Sequence, residues 1–393
     1  MTLLFDRRED LGDNPGTHAL IVGVSNYPYL RGGTNPRPLD DFGFRQLTSP
    51  AISAFRFGRW LSDRAKPPAP LATCRMMLAP SKRELSAEPS LEQAISQCTL
   101  DNFLRAVTDW RADANSHRDN VTFLYLAGHS IERSHAEQIF LLADFGDGIG
   151  PILRNSVDVN SIFNGMMPSQ RNHSIARTQL YFLDTSRTRS QRLREFELTN
   201  ATPVFDSELV AVDDRTAVLF LAAASQKAAY GAPGDQSLFN KALLQCLNGL
   251  AGQAVEIGGR QRWVVTVSSL MRNLDKEIQR LDQDFHMGQR VVIGGTIRDT
   301  IINYLNESPV VELALQIHPS DAAPFATITI LDAEFQPVKS WETLTAAGVS
   351  TSLPAGLYTV RTDIAPGQAN FKSQQTITYV LPPSQRLDIK VDE

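Results

Sequence analysis

Residues able to do acid–base and nucleophilic chemistry stand at two places in this sequence, each at the end of an apolar run. Val121-Thr122-Phe123-Leu124-Tyr125-Leu126-Ala127 leads into Gly128-His129-Ser130, and Leu180-Tyr181-Phe182-Leu183 leads into Asp184-Thr185-Ser186-Arg187. Histidine is the usual general base at neutral pH, and a hydroxyl or thiol beside it is the usual nucleophile. His129 is therefore the candidate base, and the flanking Gly128 lets backbone approach it closely. Ser186 occupies the candidate nucleophile position, with Asp184 two residues before it. Taken singly, each stretch also reads as a core strand with a polar stop. The three cysteines, Cys74, Cys98 and Cys246, fall in a strand, just before a helix cap and within an amphipathic helix, where a buried thiol is inert. None has metal-ligand spacing, and His18, His117, His135, His173 and His286 are scattered. No metal or cofactor is expected. Asp144 and Asp147 read equally as a source of negative potential, a cation site or a solvated turn.

Bringing a base and a nucleophile together requires rigid elements. The apolar runs at 18–24, 121–127, 180–183 and 217–224 suit buried parallel strands, and open α/β sheets place their sites at the carboxyl edge of such strands. Helical spacing appears at Ile52, Phe55, Arg59 and Trp60 behind Ser49-Pro50, a cap followed by a first-turn proline. It recurs at Phe103, Val107 and Trp110 behind Thr99, over 158–170, and from Phe239 to Leu250 with an Asn248-Gly249 stop. Residues 31–45 and 65–72 read as surface loops. Residues 187–214, with Arg187, Arg189, Arg192 and Arg194, read as a mobile loop. Strands alternating with helices predict an α/β fold, a mostly parallel sheet flanked by helices on both faces. After Asn306-Glu307-Ser308-Pro309 the period changes to strand alternation, at 327–330, 358–361, 375–379 and 387–390, which predicts a small all-β sandwich. The expected division is a domain over 1–305 and a β-sandwich domain over 306–393.

Composition narrows the function classes. A chain of 393 residues with net charge −5 and 42% hydrophobic residues has core enough for two domains. It has no long basic block, so nucleic acid is not a partner. No apolar run reaches membrane-spanning length, and Met1 to Pro15 is charged without a signal-peptide core. Sparse, odd-numbered cysteines suit a reducing compartment, so a cytoplasmic location is expected.

Together these pieces resemble the caspase-like cysteine peptidases, and in particular their bacterial and metacaspase-like branches, over roughly residues 17–295. The family is marked by Gly-His at one strand end and Asp-x-Cys at the next, about fifty residues on. The pieces are Ala19-Leu20-Ile21-Val22-Gly23-Val24-Ser25-Asn26-Tyr27, Leu126-Ala127-Gly128-His129, Phe182-Leu183-Asp184-Thr185-Ser186-Arg187, Ala224-Ser225-Gln226, and Ser237-Leu238-Phe239-Asn240-Lys241-Ala242-Leu243-Leu244. The resemblance implies a caspase-like fold and an endopeptidase acting on protein or peptide substrates. It implies His129 as base and thiolate attack at position 186, with Asp184, Ser225 and Gln226 lining the substrate site. No cofactor is implied; Ca²⁺ is conceivable as an activator but is not indicated by the residues.

Two departures stand out: Ser186 where the family has Cys, and Ser130 where it usually has Gly. A serine hydroxyl is far harder to deprotonate than a thiol, so this chain is expected to be catalytically dead or nearly so. Either the nucleophile was removed by substitution or the chain is a natural pseudo-enzyme; the intact Asp184, Arg187 and His129 favour the first. Asp184 matches the carboxylate that metacaspase-like relatives place near a basic P1 side chain, though a second Asp of that branch is replaced by Ser53. Its other reading is a carboxylate capping loop N–H groups. The functional alternatives are thus an endopeptidase whose β-sandwich docks a substrate or regulatory protein, and a non-catalytic module that binds peptides or proteins.

Overall fold

A computed structural model describes residues 3–37, 42–94, 96–132, 138–188, 201–206, 212–223, 232–283, 288–342, 344–345, 348–367 and 370–391. In chain order the elements are β1 (Leu3–Asp6), α1 (Arg8–Leu11), β2 (Thr17–Val24), α2 (Pro50–Asp63), β3 (Leu71–Ala79), α3 (Lys82–Ala87), α4 (Leu100–Ala114), β4 (Val121–Glu132), β5 (Gln138–Leu141) and β6 (Ser156–Asp158). There follow α5 (Val159–Gly165), β7 (Thr178–Thr188), β8 (Thr202–Pro203), β9 (Thr216–Ala223), α6 (Leu238–Gln245), β10 (Gln253–Ile257), β11 (Arg260–Thr266), α7 (Val267–Asp282), β12 (Arg290–Thr296) and β13 (Ile301–Tyr304). The last seven strands are β14 (Val310–His318), β15 (Ala326–Leu331), β16 (Pro337–Trp341), β17 (Val349–Pro354), β18 (Gly356–Ile364), β19 (Gln374–Val380) and β20 (Ser384–Lys390).

The chain divides into two compact units. One is Met1–Leu244 with Leu274–Ile302, and the other is Gln245–Asn273 with Asn303–Glu393. The first holds the large sheet, whose central order is β1-β3-β2-β4-β7-β9-β12. Strands β2, β3, β4, β7 and β9 run parallel, and β1 and β12 pair antiparallel at the two ends. Beyond Ala127, where its pairing with β2 ends, β4 pairs Ser130, Ile131 and Glu132 with β5, which continues to β6 and β8. The expected α/β class, with a mostly parallel sheet flanked by helices, is the class observed.

The pleat of β4 explains how both faces are filled. Leu124 and Leu126 join one cluster with Phe103, Val107 and Trp110 of α4. Phe123 and Tyr125 point the other way and meet the ring of Phe57 on α2. Alternate residues of one strand thus bind a helix on each side, which is why its sequence is apolar at every position.

Two helix starts differ from expectation. Ser49 makes no capping bond at α2. The amides of Ala51 and Ile52 donate instead to Oε1 of Glu84, a fully buried carboxylate reached from α3. Likewise Thr99 makes no side-chain cap at α4, and the Leu100 amide donates to Asp144 Oδ2. In both cases a carboxylate oxygen takes the place of a hydroxyl as acceptor at the positive end of the helix. Among the short strands not foreseen are β1 and β8. β1 is a four-residue edge strand, and β8 lies inside the segment expected to be a mobile loop, with Ala201 and Phe205 beside it buried. Most of the rest of that segment, 189–200 and 207–211, lies outside the described residues.

The second unit contains the all-β sheets, ordered β17-β14-β20 and β16-β15-β18-β19. Their facing residues, among them Val311, Leu313, Ile328, Ile330, Val360 and Ile389, form one core. This unit takes in, besides the residues from 306 onward, the β10–β11 hairpin, because Trp263 of β11 packs against that core. Pro309 sits so close to Gly249 that an added Cβ would lie 2.8 Å from its ring.

Candidate active site

The two strands that carry the chemistry-bearing residues are immediate neighbours. In the parallel β4–β7 pair Gly128 is opposite Thr185 and His129 is opposite Ser186. Neighbouring strands lie about 4.8 Å apart, so the two positions stand side by side. The ladder continues to Ile131 and Thr188, so neither position is the last residue of its strand as the apolar runs suggested. The extra residues of β4, Ser130, Ile131 and Glu132, pair with β5.

His129 is 6% exposed and held from two sides. Its Nε2 lies 2.7 Å from the carbonyl oxygen of Arg45. A carbonyl only accepts, so Nε2 carries the hydrogen and the lone pair of the neutral ring resides on Nδ1. Its backbone N–H donates to the hydroxyl of Tyr27 at 3.0 Å. The rings of Phe44 and Tyr27 flank the imidazole, with centroids at 4.8 and 5.0 Å. Burial brings its pKa down to about 4, against a smaller upward pull from the Arg45 carbonyl. The resting ring is therefore neutral at pH 7.

Gly128 is required by its surroundings. Its φ is +156°, and a Cβ there would lie 2.8 Å from the Tyr27 hydroxyl and 3.1 Å from the Phe140 ring. Only a residue without a side chain lets Tyr27 reach the next amide. Beside it, Ser130 donates to the Thr185 hydroxyl at 2.9 Å, joining β4 to β7 through side chains as well.

Asp184 is buried, at 1% exposure. Its Oδ2 accepts from the hydroxyl of Tyr125 at 2.7 Å and from that of Ser237. Tyr125 in turn accepts from Asn240 at 2.9 Å, and the Ser237 amide donates to Ser53 at 2.9 Å. Ser237 also caps α6 through the Asn240 amide. These donors are neutral, and among the described residues no cation pairs with the carboxylate. Burial pushes its pKa up to about 6, against the downward pull of Ser237 and Tyr125. The neighbouring Ser53 is thus a member of this network, as acceptor for the Ser237 amide.

Other candidates sort themselves by contact. Asp144 accepts from α4 and, largely buried, has its pKa raised to about 6. Asp147 accepts from the Ile149 amide in its own turn. Among the described residues no group of three or more His, Cys, Asp or Glu is placed to hold a metal ion. Cys74, Cys98 and Cys246 are all buried and outside any disulfide, and burial pushes the Cys74 thiol up to about 12. Ser225 and Gln226 lie outside the described residues, as do Arg189, Arg192, Arg194, His135 and His286. Among the described residues no helix is long and apolar enough to cross a membrane.

Tyr27, Phe44 and Arg45 were not singled out from the sequence. Arg45 acts through its backbone, which no residue type announces. Phe42, Phe44 and Leu47 are the available signal: three apolar residues in a loop of glycine, proline and aspartate, all buried.

The Caspase domain family model matches residues 17–284. No curated protein matches the chain. Among solved structures it is similar to the Bacillus anthracis TIE protein, at 13% identity over 36% of this chain and 31% of that one, with a TM-score of 0.18, too low to carry an argument. The chain therefore spans about a third of that protein's length. The match to the Caspase domain spans more than half of the sequence and takes in both β4 and β7, and the chain belongs to the caspase-domain family of cysteine peptidases.

Proposed function

We propose that this fold is that of an endopeptidase cleaving proteins after Arg or Lys by thiolate attack, and that Ser186 holds this chain in a substrate-binding, non-hydrolysing form. The observation that carries the reading is the pairing of His129 with position 186 across β4 and β7, with the imidazole hydrogen committed to Arg45. A thiol at 186 would pass its proton to Nδ1. The thiolate would attack the scissile carbonyl carbon, and the imidazolium would return the proton to the leaving amine. Water would then release the acyl group with the same ring as base.

The same geometry supports the loss of activity with serine. A free thiol titrates near ~8.5, whereas a hydroxyl holds its proton far more tightly. The base has a pKa of about 4, and the group behind it is a neutral carbonyl. Serine triads place a carboxylate there to stabilise the imidazolium. Basic P1 selection is supported by Asp184, a buried carboxylate with no cationic partner among the described residues, which a bound Arg or Lys side chain would complement. Docking of a substrate or regulatory protein by the β-sandwich is supported by Leu357, Ile377 and Tyr379, exposed on paired strands β18 and β19.

The test is Ser186→Cys, assayed with Arg-, Lys- and Asp-containing reporter peptides beside the parent chain. Cleavage after Arg or Lys by the variant alone is expected. Cleavage after Asp would overturn the P1 assignment and keep the reaction. An inert variant that still binds peptide would favour the second reading, a natural pseudo-protease, which rests on Ser186 itself.

A further inference from the structure

We propose that Gln46 and Tyr27 are positioning residues that together hold the imidazole of His129 in the Nε2–H tautomer. The proposal rests on the reading of His129 as the base. Tyr27 follows β2, and Gln46 belongs to the loop before α2. The Gln46 side-chain amide pairs with the main chain of Tyr27 in both directions. Oε1 accepts from the Tyr27 N–H at 2.8 Å, and Nε2 donates to the Tyr27 carbonyl at 2.8 Å. Tyr27 then holds the His129 amide through its hydroxyl at 3.0 Å. Gln46 directly follows Arg45, whose carbonyl takes the His129 Nε2–H at 2.7 Å. The four residues close a ring: Tyr27 to Gln46, along the chain to Arg45, to the imidazole, and from its backbone to Tyr27.

This ring does what neither contact does alone. Tyr27 fixes the backbone of His129, and Arg45 fixes the far nitrogen of its ring. The glutamine ties these two anchors to each other, so they cannot drift apart. The loop is shaped for the task. Phe42 and Gly43 both take positive φ, 47° and 87°, a conformation that a side-chain-bearing residue such as Phe42 rarely adopts. Phe42 and Phe44 pack on Phe145, and the Leu47 amide donates to the Ser25 carbonyl at 2.9 Å, which holds that turn against β2. The carbonyl of Arg45 is thus aimed by packing on one side and by Gln46 on the other.

The test reads the tautomer directly, by ¹⁵N shifts of the His129 imidazole in the chain as it stands, assigned with His129→Gln. The parent should show the paired shifts of a pure Nε2–H ring. Gln46→Leu keeps the volume and removes both amide bonds; Tyr27→Phe removes only the hydroxyl. Both should keep the fold by circular dichroism, while the two ¹⁵N shifts move toward each other as the Nδ1–H form appears. In the Ser186→Cys background each should lower kcat about tenfold to a hundredfold, the scale of a misplaced catalytic group, with KM within about twofold. Unchanged shifts and unchanged kcat in both variants would overturn the proposal. Should Gln46→Leu not fold, Tyr27→Phe carries the test alone. An inactive Ser186→Cys chain would count against the peptidase reading, while the tautomer measurement still decides this one.

Discussion

Replacing Asp184 with asparagine should make the protein more stable at alkaline pH and less able to select a basic P1 residue. The carboxylate is fully buried and its partners are two hydroxyls. Its folded pKa of about 6 compares with an ordinary value of 3.8. Each pKa unit is worth about 1.4 kcal/mol, so keeping Asp184 ionised costs the native state about 3 kcal/mol. The sign follows from which state holds the proton. Below pH ~4 both the folded and the unfolded chain are protonated at this group, and the cost is absent. As pH rises toward 6 the unfolded chain releases its proton first, and stability is lost through that window. Above it the cost is complete. The substituted asparagine would keep one oxygen for Tyr125 and Ser237 and carry no charge, at the expense of about 1 kcal/mol for placing an amide nitrogen where an oxygen stood. The Asp184→Asn variant should therefore gain about 2 kcal/mol over the parent at pH 8 and lose about 1 kcal/mol at pH 4.

Urea unfolding of both chains at pH 4, 6 and 8 measures this. The neutral, buried His129 has a depressed pKa, so its own contribution runs the other way, present above the unfolded value and lost as pH falls toward 4. It is common to both chains and leaves the difference between them unaltered. A stability difference that does not vary with pH would refute the reasoning: the ionised carboxylate would then be fully satisfied by its hydroxyls, and the uncompensated charge behind the P1 assignment would vanish. The same variant in the Ser186→Cys background should lose its preference for Arg over a neutral side chain.

Gly128→Ala should lower Tm by several degrees, because a Cβ 2.8 Å from the Tyr27 hydroxyl and 3.1 Å from Phe140 forces a shift worth about 1–3 kcal/mol; an unchanged melting curve would mean that the Tyr27 ring moves aside freely. Glu84→Gln should cost about 3 kcal/mol in urea, since Oε1 takes three donors and Oε2 two, and an NH₂ in either place leaves buried donors facing each other. A loss under about 1 kcal/mol would show that α2 does not depend on that carboxylate for its cap.

How much of this site was legible in the sequence depends on which atoms do the work. His129 and Gly128 could be singled out as candidates because a strand buried on both faces has few reasons to run into Gly-His, and Asp184 because a carboxylate next to a core strand needs partners. The carbonyl of Arg45 could not, since every residue has one, and its use depends on a loop closing over β4 from more than eighty positions away. The caps follow the same logic. Ser49 and Thr99 have the local signature of an N-cap, yet Glu84 and Asp144 take the amides, because tertiary contact brings a carboxylate where sequence offers a hydroxyl. The β-strand texture after Pro309 was readable, because alternation is local. The membership of Trp263 in the same unit was not, because it is decided by packing against residues such as Val311 and Leu313 across an intervening helix and two strands. What the chain writes locally are elements and chemical types. The contacts that hold the His129 ring, on which the proposed proton transfer at position 186 would depend, come from Tyr27, Gln46 and the backbone between Phe44 and Gln46, and only the folded loop makes those residues neighbours of His129.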